Sequence, residues 1–142
     1  MADIPNEHHI ARHCRGRNVD GDDVDGEEFR LRLETDPPEE YLSVHCFELT
    51  NKSILDEQLV DIRTAIPRTL KPKDRIARLN VGVARQRVFQ NVGRLVICVS
   101  KIVPGSATYC GVYDIPQIDR INKAVGEQLA FAASGNLHAA VI

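Results

Sequence analysis

The sequence has few aromatic residues and no long apolar run. Only 5% of its 142 residues are Phe, Tyr or Trp, which argues against a row of stacking rings for single-stranded nucleic acid. The longest apolar runs, Leu95–Val99 and Leu129–Ala133, are much shorter than the roughly 20 residues that a membrane-spanning helix needs. No membrane association is therefore predicted.

The cysteines lack the spacing of a redox or zinc motif. The four cysteines, Cys14, Cys46, Cys98 and Cys110, include no C-x-x-C pair. The first seven residues, Met1–Glu7, have neither the basic nor the apolar region of a secretory signal. We therefore expect a cytoplasmic protein with reduced thiols.

Composition and length indicate one globular domain. Hydrophobic residues make up 43% of the chain and charged residues 27%, which is an ordinary globular balance. A chain of this length buries about 70% of its unfolded surface. We predict a single domain over 1–142, with 1–7 disordered and 15–28 forming an acidic, turn-rich loop.

Charge is separated along the chain although the net charge is only −2. Residues 1–41 contain 12 acidic and 5 basic side chains, whereas residues 67–101 contain 9 basic and 1 acidic. The two segments either neutralise each other in the fold or form a surface dipole that attracts a partner.

Hydrophobic periodicity predicts an α+β fold with a mostly antiparallel or mixed sheet and two main amphipathic helices. The helices are expected from Ser53, capped with Asp56, to Ile66, and from Pro116 to Ala133. Strands are expected over 29–33, 41–47, 94–103, 109–113 and 137–142, where apolar residues alternate or cluster. Segment 8–14 is a strand or one to two helical turns. Segment 76–83 favours a strand, after which 84–90 can continue as a helix.

Histidines are concentrated near the N-terminus. Three of the five histidines and Cys14 lie within His8–Cys14. His9 and His13 can share one metal ion only in a helix, since a strand separates them by roughly 13 Å. A zinc site would also need more distant ligands such as His45, Cys46, Cys110 or His138. Separate structural histidines are the favoured interpretation, and metal binding stays open.

A second candidate site combines this segment with the strand over 41–47. Arg12, Arg15 and Arg17 surround Cys14 with positive charge that would lower the pKa of its thiol. Neighbouring elements of a chain commonly pack together, which would add Ser43 and His45. The candidate catalytic residues of a small enzyme are therefore His9, Arg12, Cys14, Ser43 and His45. No oxyanion-hole motif or cofactor motif accompanies them.

Two charged segments suggest ligands without defining a site. The basic segment from Lys71 to Arg94 can contact phosphates, but its alternation does not form a clean basic face, so nucleic-acid binding is not favoured. The acidic run Asp20–Glu28 does not match the register of a calcium loop.

The order of several short motifs resembles a group of short uncharacterised bacterial proteins. The shared pieces are an N-terminal H-x-A-R-x-C segment (His9–Cys14), a Y-L-S-V strand (Tyr41–Val44) and a later L-N-V-G (Leu79–Gly82). This sequence departs from the pattern after Val44, and has 106–109 where the group has a histidine. The resemblance implies no established activity.

The leading functional hypothesis is a bacterial accessory or interaction module that acts through a protein partner. The charge separation and the missing catalytic signature motivate it. The alternatives are the small enzyme described above, or a domain that binds a metal or contacts phosphate. A homo-oligomer stays open.

Overall fold

The computed structural model describes residues 3–141 and has a six-stranded antiparallel sheet at its centre. The strand order is β6-β7-β4-β1-β5-β8. The strands are β1 (His9–Cys14), β4 (Leu42–Cys46), β5 (Arg75–Asn80), β6 (Cys98–Lys101), β7 (Tyr109–Tyr113) and β8 (Leu137–Ala139). A separate two-stranded ribbon joins β2 (Val19–Asp20) and β3 (Asp23–Val24). The predicted α+β class is confirmed, and the main sheet is antiparallel throughout.

Three helices cover the two faces of the sheet. They are α1 (Leu55–Ala65), α2 (Val81–Asn91) and α3 (Asp119–Ala133). The larger apolar core lies between the sheet and the α2–α3 pair, and includes Ile10, Val44, Leu79 and Leu129. A smaller core on the opposite face joins α1 to the sheet through residues that include Ala11, Phe47, Ile62 and Ile76. The sheet therefore separates two apolar layers, as alternation along its strands requires.

The helix boundaries correct two sequence predictions. α1 starts at Leu55 after Ile54, without a side-chain cap, so the predicted capping by Ser53 and Asp56 is wrong. α3 starts at Asp119, so Pro116 precedes the first turn instead of forming it. The segment over 76–90, expected as a strand that can continue as a helix, divides at Asn80. The side chain of Asn80 accepts a hydrogen bond from the Val83 amide and caps α2. Here the polar cap ends the strand and begins the helix.

The strand predicted over 29–33 is wrong. Residues 26–29 form a 3₁₀ turn, and the amide and carbonyl of Leu31 both hydrogen-bond to the side chain of Asn122 in α3. Phe29 and Leu31 are buried as the alternation suggested. The backbone amide and carbonyl of Leu31, however, are satisfied by a helix side chain, so Leu31 requires no strand partner.

The N-terminal segment joins the sheet edge. Residues 1–2 of the segment expected to be disordered lie outside the described residues. Ile4 is buried and its amide donates to the carbonyl of Val99, next to a bridge between Asp3 and Ser100. No helix within residues 3–141 is long and apolar enough to cross a membrane.

Candidate anion-binding site

Three adjoining cavities meet at Arg68, an exposed residue just after α1. The first cavity, here called the central cavity, encloses about 320 Å³ between the end of α1 and strands β1, β4 and β7. The cavities on either side enclose about 570 and 640 Å³. A concave site of this size lies within the range that small-molecule ligands occupy.

The central cavity exists because β1 and β4 separate beyond their first two residue pairs. The ladder pairs Ile10 with Cys46 and Ala11 with His45, and then stops. Arg12 spans the gap: its Nη1 donates to the carbonyl of Ser43 at 2.9 Å, and its Nε donates to the carbonyl of Glu28 at 2.8 Å. The guanidinium thereby replaces missing ladder hydrogen bonds and is held in one orientation.

Burial of Arg12 has an electrostatic cost that neighbouring charges alter. Desolvation lowers the pKa of Arg12, the Glu28 carboxylate opposes this shift, and the positive charge of Arg68 adds to it. Glu28 is itself engaged by Arg15, whose amide and guanidinium both donate to the carboxylate. Two arginines, Arg12 and Arg68, thus line the central cavity, and its described lining contains no carboxylate.

The opposite wall of the central cavity is made of hydroxyl groups and one imidazole. Ser43 Oγ lies 2.9 Å from the hydroxyl of Tyr109, and the Nδ1 of His45 lies 2.9 Å from Thr108 Oγ1. Burial, together with the positive charge of Lys101, lowers the pKa of His45 to about 4. The imidazole is therefore neutral at pH 7 and offers a hydrogen bond without adding charge.

All three tyrosines of the chain lie on this face of the sheet. The ring centres of Tyr41 and Tyr113 are 5.0 Å apart, and those of His45 and Tyr109 are 5.6 Å apart. A hydrogen bond to Tyr109, with burial, raises the pKa of Tyr41 to about 12. The phenol of Tyr41 therefore stays protonated at pH 7 and is an uncharged donor on this face.

Basic residues continue around the other two cavities. Besides Arg12 and Arg68, the cavities are lined by Arg15, Arg17, Arg30, Arg32, Lys71 and Lys73, and the second cavity also by the acidic residues Glu27, Glu28, Glu34 and Asp119. Asp74, the acidic residue nearest to the lysines, is buried and accepts hydrogen bonds from the amides of Gly16 and Lys71 and pairs with His13. The carboxylate of Asp74 therefore holds these backbone amides in place. Lys71 and Lys73 contribute positive charge to the rim of the third cavity.

The two oppositely charged segments neutralise each other only in part. Within residues 3–141, the structure gives one ion pair between 1–41 and 67–101, Arg85 with Asp3, and a hydrogen bond between His13 and Asp74. Arg15 also forms ion pairs, but both of its partners lie within residues 1–41. Arg68, Lys71 and Lys73 make no ion pair with a described residue, so the rim keeps positive charge.

The structure brings together three of the five residues predicted for a site. Arg12, Ser43 and His45 line the central cavity. His9 lies elsewhere and pairs with Glu48 at 2.8 Å. Cys14 faces the larger core and has no exposed surface.

The structure does not support the alternative of an acidic thiol at Cys14. Burial, with the Glu28 carboxylate acting in the same direction, raises the pKa of Cys14 to about 12, and this outweighs the attraction of Arg12. The sequence shows the nearby arginines but not the burial of the thiol. Inside a core, desolvation dominates the pKa of a thiol.

Four polar or charged lining residues were not among the predicted site residues: Tyr109, Ser106, His13 and Arg68. The resemblance singled out 106–109 as a place where a histidine is replaced, and His13 belonged to the N-terminal cluster. Arg68 carried only a weak signal, because an arginine after a helix-ending proline is a common surface residue.

β1 is a strand, so His9 and His13 are too far apart to bind one metal ion. Among the described residues, the group of three potential metal ligands that the structure gives is His8, Cys46 and Glu48, at the far end of the β1–β4 ladder.

Comparisons of the chain with protein-family models, curated proteins and solved structures found no match. The resemblance to short bacterial proteins stays a prediction. The site is therefore interpreted from its own geometry.

Proposed function

We propose that this domain binds a small organic phosphate in the central cavity. The observation that supports this most directly is the like-charged pair Arg12 and Arg68 in a cavity whose described lining lacks a carboxylate. Two cations that face one cavity repel each other, and an anion between them removes that repulsion. Guanidinium groups match the oxygens of a phosphate with two parallel donors.

Arg12 is the preorganised part of this site. Its Nε and Nη1 are used by backbone carbonyls, whereas its Nη2 makes no hydrogen bond to residues 3–141. A group already held in its bound orientation loses little entropy when the ligand binds. Arg68, on the exposed segment after α1, supplies a second donor that closes over the anion.

The organic part of the ligand is accommodated by the remaining wall. Ala65, Ile66 and Pro67 form an apolar side, and Tyr109 and His45 form an aromatic side with hydroxyl groups nearby. An apolar pocket with a few fixed polar groups is typical of small-molecule sites. A flat polar ring attached to a phosphate, as in a nucleoside monophosphate, fits this combination best.

Binding is favoured over nucleophilic catalysis at this site. Ser43 Oγ hydrogen-bonds to Tyr109, and His45 Nδ1 to Thr108, so the two residues do not form a serine–histidine pair. A nucleophile needs such a base within hydrogen-bond distance. The small-enzyme hypothesis for His9, Arg12, Cys14, Ser43 and His45 therefore receives less support than phosphate binding.

The test is calorimetric titration of the protein with inorganic phosphate, AMP and ATP at low and at physiological ionic strength. We expect AMP to bind more tightly than inorganic phosphate. The Arg68→Ala variant should lose about tenfold or more in affinity, the value of one charged hydrogen bond. The matched control is Arg120→Ala, because Arg120 is exposed on α3 and lies outside the central cavity.

Two results would contradict the proposal. The first is no heat and no chemical-shift change with any of the three ligands at millimolar concentration and low salt. The second is an equal loss of affinity in Arg68→Ala and Arg120→Ala, which would indicate diffuse attraction by positive charge anywhere on the surface.

A protein partner, a bacterial source and a cytoplasmic location are retained as predictions. Nucleic-acid contact through residues 71–94 is the broader form of phosphate recognition. Titration with a short single-stranded oligonucleotide beside AMP distinguishes it, since a chain of phosphates would bind more tightly and with a steeper salt dependence.

A further inference from the structure

A second cluster of reactive side chains lies at the other end of the β1–β4 ladder. His8 lies just before β1, and Glu48 lies in the 3₁₀ turn Phe47–Thr50 that directly follows β4. The register pairs Ile10 with Cys46, so these two strand residues point to the same side of the sheet. That side faces the larger core, opposite the wall formed by Ser43, His45 and Tyr109.

The ligand atoms of this cluster have the spacing of a metal site. The Sγ of Cys46 lies 3.9 Å from His8 Nδ1 and 3.8 Å from Glu48 Oε1, and all three ligand atoms lie within 4.8 Å of one another. A tetrahedral zinc ion with Zn–S near 2.3 Å and Zn–N or Zn–O near 2.0–2.2 Å separates its ligand atoms by about 3.5–3.7 Å. The two distances to Cys46 Sγ need to shorten by only a few tenths of an ångström.

The surroundings orient the carboxylate for this role. The amide of His9 donates to Glu48 Oε1 at 2.7 Å, and His9 Nδ1 lies 2.8 Å from Oε2. Metal-binding carboxylates are commonly held by such outer hydrogen bonds. Cys46 is completely buried, whereas His8 and Glu48 are half-buried, so the cluster is open to solvent on one side.

Charge and ligand softness favour zinc over calcium or magnesium. A thiolate and a carboxylate together neutralise a divalent cation, which lowers the cost of placing it beside a core. Sulfur and imidazole ligands suit zinc, whereas calcium and magnesium require oxygen ligands.

We propose that His8, Cys46 and Glu48 bind a zinc ion. Three protein ligands leave a fourth position for water or a substrate atom, as in catalytic zinc sites. Cys110 contacts Cys46 but does not belong to the group of three. The site is independent of the phosphate cavity, so either proposal can fail without the other.

The experiment is titration of the metal-free, reduced full-length protein with Co²⁺, followed by displacement with Zn²⁺. We expect one equivalent of Co²⁺ to produce the near-ultraviolet absorption of a thiolate bound to cobalt, and Zn²⁺ to remove it. Glu48→Gln and His8→Ala should weaken Zn²⁺ binding by about tenfold or more, since even outer-shell changes cost that much.

The cysteine variants identify the sulfur ligand. Cys46→Ser should abolish the cobalt–thiolate absorption, whereas Cys98→Ser, on the edge strand β6, should leave it unchanged. Circular dichroism checks that Cys46→Ser is folded. If it is not, the Glu48→Gln and His8→Ala titrations decide.

The outcomes are distinct. Absence of the absorption in the wild-type protein would overturn the proposal, as would unchanged Zn²⁺ affinity in both Glu48→Gln and His8→Ala. If Cys110→Ser also abolishes the absorption while the protein stays folded, the three-ligand site with an open position is wrong, because Cys110 then completes a closed site.

Discussion

Arg12 has a structural role and, in the proposed phosphate site, a binding role, and substitution separates the two. Its guanidinium donates to the carbonyls of Ser43 and Glu28 where β1 and β4 diverge. A hydrogen bond to a charged group contributes about 1.5–3 kcal/mol to stability. Arg12→Ala removes two such bonds and leaves carbonyl groups unpaired, so the free energy of unfolding should fall by about 4 kcal/mol.

The comparison with Arg68 makes the prediction specific. Arg68 is exposed and its side chain makes no hydrogen bond to a described residue, so Arg68→Ala should change stability by no more than about 0.5 kcal/mol. Arg12→Lys keeps the charge but not the two-pronged donor geometry, and we expect it to lose about 2 kcal/mol. Both alanine variants should lose phosphate affinity.

Equilibrium unfolding in urea measures these differences at pH 7, with the m-value checked for constancy across the variants. A loss of 4 kcal/mol is a large part of the about 5–15 kcal/mol available to a domain. The reasoning is refuted if Arg12→Ala loses less than about 1 kcal/mol, or if Arg68→Ala is destabilised as much as Arg12→Ala.

Three further predictions concern single residues. The pKa of His45 is lowered to about 4 in the fold and is near 6.5 when the chain is unfolded. The contribution of its neutral imidazole to the free energy of unfolding is therefore fully present above pH 6.5 and is lost as the pH falls towards 4. The wild type should therefore lose about 2 kcal/mol more than His45→Gln between pH 7.5 and pH 5 in urea unfolding. Cys14 should react with a thiol reagent only as fast as the protein unfolds, and more slowly than Cys98. Mass spectrometry of labelled peptides measures both rates, and rapid labelling of native Cys14 would contradict its burial. Gly126→Ala should lower the free energy of unfolding by about 1–3 kcal/mol, because the new methyl group would lie 2.7 Å from the carbonyl oxygen of Gly26. An unchanged melting temperature would show that the contact between α3 and the 3₁₀ turn adjusts freely.

Local patterns in the sequence predicted much of the fold. The strand prediction over 41–47 and the pair of strands before and after Pro104 depended on apolar alternation, and β4, β6 and β7 form there. Two helices also formed near the expected segments, because their apolar stripes bury against the sheet. These features depend on residues a few positions apart, which a sequence shows directly.

The segment over 29–33 shows where local patterns are insufficient. Its alternation correctly indicated burial of Phe29 and Leu31, but the backbone partner of Leu31 is Asn122, which is 91 positions away. A side-chain amide that satisfies a distant backbone produces no periodicity in either segment. Only the tertiary structure could decide between a strand and this arrangement.

The candidate sites also combine residues that the sequence predicted with features that only the tertiary structure decided. The sequence alone selected Arg12 for its positive charge next to Cys14, and Ser43 and His45 as polar residues within an apolar strand. The tertiary structure decided that Cys14 is buried with a raised pKa, and that Arg68 approaches Arg12 from beyond a helix. It also decided that His8 faces Cys46 and Glu48. Desolvation and long-range proximity determine the chemistry of these groups, and both depend on how the chain is packed.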